Sequence, residues 1–199
     1  MTGTSTPNTK GEPPTADMSQ RLLESALGIL QDTGAAALTV RNITERAGCS
    51  TTGVYTYFGG KHGLVEAIFL DGFASFDRAV QPFYENRDLL GAGRAYRQWA
   101  LANPMHYLVM FGRAVPDFEP SEPGFARAYE SFAALIQAVA HAGAGDPEAA
   151  AYHLYATVHG YVMLELVGMG PVDQNALAGR YEEGLRQALS GIDGDDRGR

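Results

Sequence analysis

Several side chains in this 199-residue chain could hold a metal, a proton or a phosphate, and most of them do not combine into a reactive site. Cys49 is the single cysteine, so no disulfide forms within the chain and a cysteine-based metal site lacks ligands. A small apolar role suits it better than that of a redox sensor. His153 and His159 lie six residues apart in a helical pattern. Six residues turn roughly 600° about a helix axis, so the two imidazoles point to different faces and cannot chelate one ion. Asp193, Asp195 and Asp196 sit among glycines that hold no ligand geometry, which suits a solvated acidic tail. Glu165 is a lone acid in an apolar stretch and is expected to pair locally. There is no paired acid and no nucleophile beside a base, so no catalytic residue, metal or cofactor is expected.

A different cluster occupies residues 39–64. Arg41, Arg46 and Lys61 face a single acid, Glu45, in a chain whose formal net charge is -8. Ser50, Thr51, Thr52 and Gly53 are small and mostly hydroxylated, and Tyr55, Thr56 and Tyr57 follow one turn on. Small residues at a helix start allow close approach to a polar surface, and the free N–H groups there favour phosphate. An acidic chain is unsuited to coating nucleic acid without selectivity, so such contacts must be confined to one local surface.

Almost everything between the chain ends reads as helix. Residues 1–16 and 191–199 are expected to be flexible tails, with residues 17–61 and 62–190 as the two folded parts. Asp17 or Ser19 can cap a first helix with Leu22, Leu23, Ala26, Leu27 and Leu30 on one face, ending at Gly34. Thr39 suits the N-cap of a second helix with Val40, Ile43 and Ala47 inward, stopped by Gly48. Ser50 is expected to cap a third, with Val54 and Phe58 pointing the same way, broken at Gly59 and Gly60. A longer helix from His62 keeps the stripe Val65, Phe69, Gly72, Phe76 and Ala79 up to Pro82. Further helices are predicted at about 90–102, 104–113, 124–142, 147–168 and 173–190, with a proline-rich acidic loop over 116–124. No strand pattern and no internal repeat is found. The fold class is therefore all-α. Two short capped helices joined at a glycine form a helix-turn-helix, whose second helix can enter a major groove.

Here the pattern becomes specific. Thr39 caps a helix ending Ala47-Gly48, then come Cys49-Ser50, Thr51-Thr52-Gly53-Val54-Tyr55-Thr56-Tyr57-Phe58 and Gly59-Gly60-Lys61-His62-Gly63-Leu64. This run resembles the DNA-binding segment of the TetR (tetracycline-repressor-like) family of regulators. Ala102-Asn103-Pro104, Met110-Phe111-Gly112 and Val158-His159-Gly160 resemble one C-terminal subclass of that family. The resemblance implies an N-terminal three-helix DNA-binding domain, followed by a larger helical domain for ligand binding and dimerisation. It implies phosphate contacts for Arg41 and Lys61, groove contacts for Ser50, Thr51, Thr52 and Gly53, a backbone contact for Tyr55, and base or phosphate contacts for Thr56 and Tyr57. Tyr55 could instead be a half-buried aromatic of the three-helix core, and Arg41 a plain surface arginine. Gly60 departs from the family, which often has Ser or Asn there.

The resemblance also implies a small, largely apolar effector in the second domain. Candidate contacts are Phe73, Phe76, Trp99, Tyr107, Met110 and Phe111, with Tyr129, Phe132, Tyr155, His159 and Met163 from the later helices. An ordinary core accounts for any one of these taken alone. A homodimer is implied through the last two helices, where Gly160 permits close approach. The stripe Leu177, Tyr181, Leu185 and Leu189 serves that interface or an internal core equally well. The expected partner is a roughly palindromic double-stranded operator with half-sites about 34–36 Å apart or a multiple. Rival readings are an all-α enzyme, or a small-molecule-binding protein without DNA-binding function. The N-terminus lacks the apolar core of a secretory signal, and no apolar run is long enough to cross a bilayer, so no membrane partner and a cytoplasmic location are expected.

Overall fold

The computed structural model describes residues 15–169 and 173–192. The described residues are helical throughout, joined by turns and short irregular links. The chain divides into two compact units, Met1–Leu64 and Val65–Arg199. The division falls a few residues past the expected boundary at 61, inside a helix. The acidic cluster Asp193, Asp195 and Asp196 lies outside the described residues, as do Pro171 and most of both expected tails.

In the first unit, α1 (Thr15–Thr33) packs on α2 (Val40–Ala47) and α3 (Thr52–Phe58), with a single 3-10 turn at Ala35–Ala37. α4 (Lys61–Glu85) begins here. Helix α1 starts at Thr15, so Asp17 and Ser19 lie within it and neither is its N-cap. Leu22, Ala26, Ile29 and Leu30 turn inward against Leu38, Ile43, Ala47, Val54 and Leu64. Leu23 and Leu27, expected on that face, are only half-buried, because the stripe runs through Ile29. Val40 is also half-buried, at the exposed first turn of α2.

Caps set these short helices. Thr39 is extended (φ -114°) and its hydroxyl accepts from the Asn42 amide at 3.2 Å, satisfying one N–H that the helix start leaves open. Gly48 closes α2 in the left-handed region at φ 68°, where glycine pays no side-chain penalty. The Arg21 guanidinium donates to the Ala47 carbonyl, which has lost its helical partner. Ser50 does not cap α3. The N-cap is Thr51, already helical at φ -60° and ψ -26°, so no side-chain cap bond forms. Gly60 lies at φ 130°, where a side chain would be strained, so the backbone itself calls for glycine at this departure from the family pattern.

The second unit contains the rest of α4, then α5 (Leu89–Ala102), α6 (Pro104–Phe111), α7 (Glu122–His141), α8 (Pro147–Leu166) and α9 (Gln174–Ser190). Helix α4 continues through Pro82 to Glu85 instead of ending at the proline. Pro104, Pro123 and Pro147 stand in first turns, where the missing N–H costs least. The expected loop over 116–124 is shorter: Ser121 caps α7, so Glu122, Pro123 and Gly124 are already helical. Glu66 on α4 accepts from both the amide and the hydroxyl of Ser121, tying that cap to α4. Helix α8 packs on α5, α7 and α9. Ile192 is buried, so the C-terminal end of the described chain packs where a frayed tail was expected from residue 191.

Close backbone approach makes one glycine indispensable. A Cβ on Gly63 would stand 1.9 Å from the carbonyl oxygen of Phe58, a contact that no side-chain rotation relieves. Gly63→Ala is expected to destabilise the first unit by about 1–3 kcal/mol, as over-packing does. Urea unfolding followed by far-UV circular dichroism measures this; an unchanged midpoint would contradict the close approach.

Candidate nucleic-acid interface and ligand cavity

The first unit presents its polar cluster to solvent. Arg41, Ser50, Thr51, Thr52, Tyr55, Thr56, Tyr57 and Lys61 are all exposed, and Gly53 is half-buried. Tyr55 is 61% exposed, so it is not the half-buried core aromatic that the sequence left open. Beneath it, Val54 is fully buried and anchors α3. The described cations of this unit divide into two kinds. Arg21 is bonded to the Ala47 carbonyl, and Arg46 pairs with Asp32 at 2.7 Å. Arg41 and Lys61 have no carboxylate within ion-pair distance among the described residues. Cys49 is a half-buried free thiol whose sulfur lies where a Cβ on Gly53 would touch it, at 3.5 Å.

The second unit holds a partly open cavity of about 230 Å³. Of the residues expected to contact a ligand, Phe73, Phe76, Phe111, Phe132 and Tyr155 line it. Their rings pack edge to face: Phe73 on Phe111 (5.6 Å between centroids), and Phe132 on Tyr155 (5.9 Å). The wall is completed by residues that sequence reasoning missed, among them Tyr84, Leu89, Tyr96, Ser131, Leu135 and Leu154. Tyr84 lies beyond Pro82, where the helix was expected to have ended. Tyr96 and Leu154 occupy apolar helical positions, whose facing the spacing alone does not fix.

Six expected contacts do not line the cavity. Trp99 stands behind the wall, edge to face with Phe76 at 5.3 Å. Met110 packs over Gly72, in space that a Cβ there would fill. Tyr129 is 67% exposed on the outer face of α7. Met163 is half-buried and off the wall. Tyr107 and His159 form a polar chain behind the wall. The Tyr107 hydroxyl meets the Tyr96 hydroxyl at 2.8 Å and His159 Nδ1 at 2.7 Å. His159 also stacks on Tyr155 (5.4 Å). Burial pushes the Tyr155 hydroxyl up to about 12 and raises those of Tyr96 and Tyr107 as well, so all three stay neutral. Burial lowers His159, which keeps the imidazole neutral at physiological pH.

Ion pairs hold the helices around this chamber. Asp77 on α4 pairs with Arg127 of α7 and accepts from the Ser131 hydroxyl in the cavity wall. Glu165 does not pair locally. It takes a bidentate bond from Arg97 of α5, at 2.9 and 2.7 Å, because the packing of α8 on α5 brings that distant arginine onto it. Arg97 in turn lies over the Tyr181 ring at 5.6 Å. Tyr181 and Leu185 are buried within the unit, and a Cβ on Gly93 would collide with Leu185, so the centre of the α9 stripe is internal core. Helix α8 leaves a separate apolar face open: Tyr152 and Leu164 are exposed, and Ala156 and Gly160 lie between them at four-residue spacing. No described helix is long and apolar enough to cross a membrane, and the described residues hold no cluster of metal-binding side chains.

A capped helix-turn-helix ahead of a larger helical unit is the layout of a DNA-binding transcriptional regulator. Comparison with known proteins makes the assignment specific. Residues 22–68 match the family of bacterial regulatory proteins, tetR family, and residues 89–187 match the tetracyclin repressor-like C-terminal domain. The chain belongs to the TetR family of transcriptional regulators, which are not enzymes. The HTH-type transcriptional regulator Mb1846 of Mycobacterium bovis is 28% identical over 105 residues, 49% of this chain and 45% of that protein. The match thus spans less than half of that relative. Among solved structures, the putative regulatory protein SCO4313 superposes with a TM-score of 0.79 at 24% identity, covering 90% of this chain and all of that one. A TetR variant of Acinetobacter baumannii in complex with minocycline superposes with a TM-score of 0.60 at 19% identity, covering 86% and 93%.

Tyr107→Phe is expected to destabilise the second unit by about 1–3 kcal/mol, because it strips a partner from the buried Tyr96 hydroxyl and the part-buried His159 Nδ1 with little change of volume. Urea unfolding measures it, and a neutral substitution would show that the chain of hydroxyls is not structural. The lowered His159 also makes stability depend on pH. The unfolded histidine takes up a proton near pH 6.5 that the folded one resists, so the contribution is complete above about 6.5 and is lost as pH falls toward the folded value. His106, which burial lowers against the opposing pull of Asp71, acts in the same direction. His159→Asn should make the decline in melting temperature between pH 7 and pH 5 shallower; an equally steep decline would assign it to other groups.

Proposed function

We propose that this chain is a homodimeric, ligand-responsive transcriptional regulator, a repressor that a small, largely apolar effector releases from its operator. The observation that carries the DNA-binding half is the pair of exposed cations, Arg41 and Lys61, which flank in sequence the exposed hydroxyl and tyrosyl residues of α3. Arg41 and Lys61 would hold phosphates, while Ser50, Thr51, Thr52 and Gly53 approach base edges and Tyr55, Thr56 and Tyr57 reach the backbone or bases. The aromatic cavity supports the sensing half, as does the minocycline complex of a protein of the same fold. The open face of α8 supports a two-fold partner, and Val158-His159-Gly160 is read as a mark of the C-terminal subclass.

Mechanistically, α4 carries Lys61 at its start and three cavity residues, Phe73, Phe76 and Tyr84, farther along. An effector that favours one position of α4 would change the spacing of the two reading heads in the dimer. By reciprocity, operator DNA would weaken effector binding by the same factor.

The test is a random-sequence selection followed by fluorescence anisotropy on the selected duplex and a scrambled control, at two salt concentrations. Selective binding is expected. Lys61→Ala should weaken it on all sequences and reduce the logarithmic salt slope by about 1. A folded protein that enriches no sequence would end the regulator reading.

A further inference from the structure

We infer that the cavity of the second unit takes an uncharged aromatic ligand and excludes anions. This deepens, and rests on, the reading of the cavity as an effector site. None of the described residues lining the cavity is a lysine, arginine, histidine, aspartate or glutamate. Its wall instead carries the rings of Phe73, Phe76, Tyr84, Tyr96, Phe111 and Phe132, with Tyr155 beside them. A charged ligand entering such a chamber loses its hydration and meets no opposite charge, which is the expensive case for burial.

One charge bonds directly to the wall, and it is negative. Ser131 is a lining residue, and its hydroxyl donates to Asp77. The field of Asp77 reaches the wall elsewhere too: after burial, it is the second cause that raises the Tyr84 hydroxyl. An anion would therefore face a carboxylate one residue behind the wall, its repulsion reduced but not reversed by the Arg127 and Ser131 partners, so desolvation without a counter-charge is the main cost. A cation gains little from that carboxylate, because Asp77 is already paired with Arg127 and hydrogen-bonded by Ser131. The ring faces that could receive a cation are partly taken up by neighbouring rings. Phe76 meets Tyr96 at an interplanar angle of 87°, and Phe73 meets Phe111 at 80°. A neutral ring system can join this edge-to-face array without an unpaired charge. The order of affinity is neutral first, cation second and anion last.

The experiment is isothermal titration calorimetry of the full chain at neutral pH with three two-ring probes: 2-naphthol, 2-naphthoate and N-methylquinolinium. Quenching of the sole tryptophan, Trp99, which abuts the wall residue Phe76, gives a second readout. We expect one 2-naphthol per chain, bound at least tenfold more tightly than 2-naphthoate and more tightly than the quinolinium. Ala128→Trp, which fills the cavity from a lining position, should abolish the binding while a melting curve shows the protein folded. Should that variant not fold, Phe132→Ala replaces it and should weaken 2-naphthol several-fold. If 2-naphthoate or the quinolinium binds as well as 2-naphthol, and does so through Ala128 or Phe132, the charge selection is overturned and the effector site stands. If no probe binds, or if 2-naphthol is indifferent to the cavity variants, both readings fall.

Discussion

A cavity inside a helical unit removes dispersion contacts from every side chain that faces it, so the walls of the second unit need support that close packing would otherwise supply. That support is polar and directional. Asp77, Arg127 and Ser131 join α4 to α7; Tyr96, Tyr107 and His159 join α5, α6 and α8; Arg97 and Glu165 join α5 to α8. Each tie crosses between helices, and among the described residues no buried side-chain polar atom lacks a partner. Satisfied networks of this kind fix one arrangement of helices, whereas an apolar wall around an open space could relax into it. The aromatic rings complete the frame, because edge-to-face contacts hold orientation as well as area.

The first unit solves a different problem. It is small and must hold a short helix such as α3 in place. Isolated helices of that length are marginal in water, so their stability comes from docking and caps. Val54 and Leu64 provide the docking. Thr39, Gly48 and Arg21 close the ends of α2, and the contact of Gly63 with the Phe58 carbonyl sets the step from α3 into α4. The same economy leaves the outer face of α3 free of structural duties, which is why its tyrosines and threonines can stand exposed.

Much of this was legible in sequence because it is local. Helical periodicity, the Thr39 cap, the Gly48 stop and the proline-headed helices depend on neighbours within one or two turns. The signature of residues 39–64 is a string of such local requirements, and it sufficed to anticipate the all-α class and the family. Local cues did not hold everywhere. Pro82 did not end α4, and the start of α3 left Ser50 without a capping role.

What the tertiary structure alone decided is which aromatic residue faces empty space. Phe76 and Trp99 look alike in a sequence pattern, yet one lines the cavity and the other stands behind it, because facing is set by how helices from distant parts of the chain meet. The pairing of Glu165 with Arg97 has the same origin, 68 residues apart in sequence. Tyr84, Tyr96 and Ser131 enter the wall only when α4, α5 and α7 are brought together. Sequence by itself determined the all-α class, the Thr39 cap and the Gly48 stop, since those obey spacing. The shape and charge of the chamber belong to the fold, since they arise from contacts that no spacing encodes.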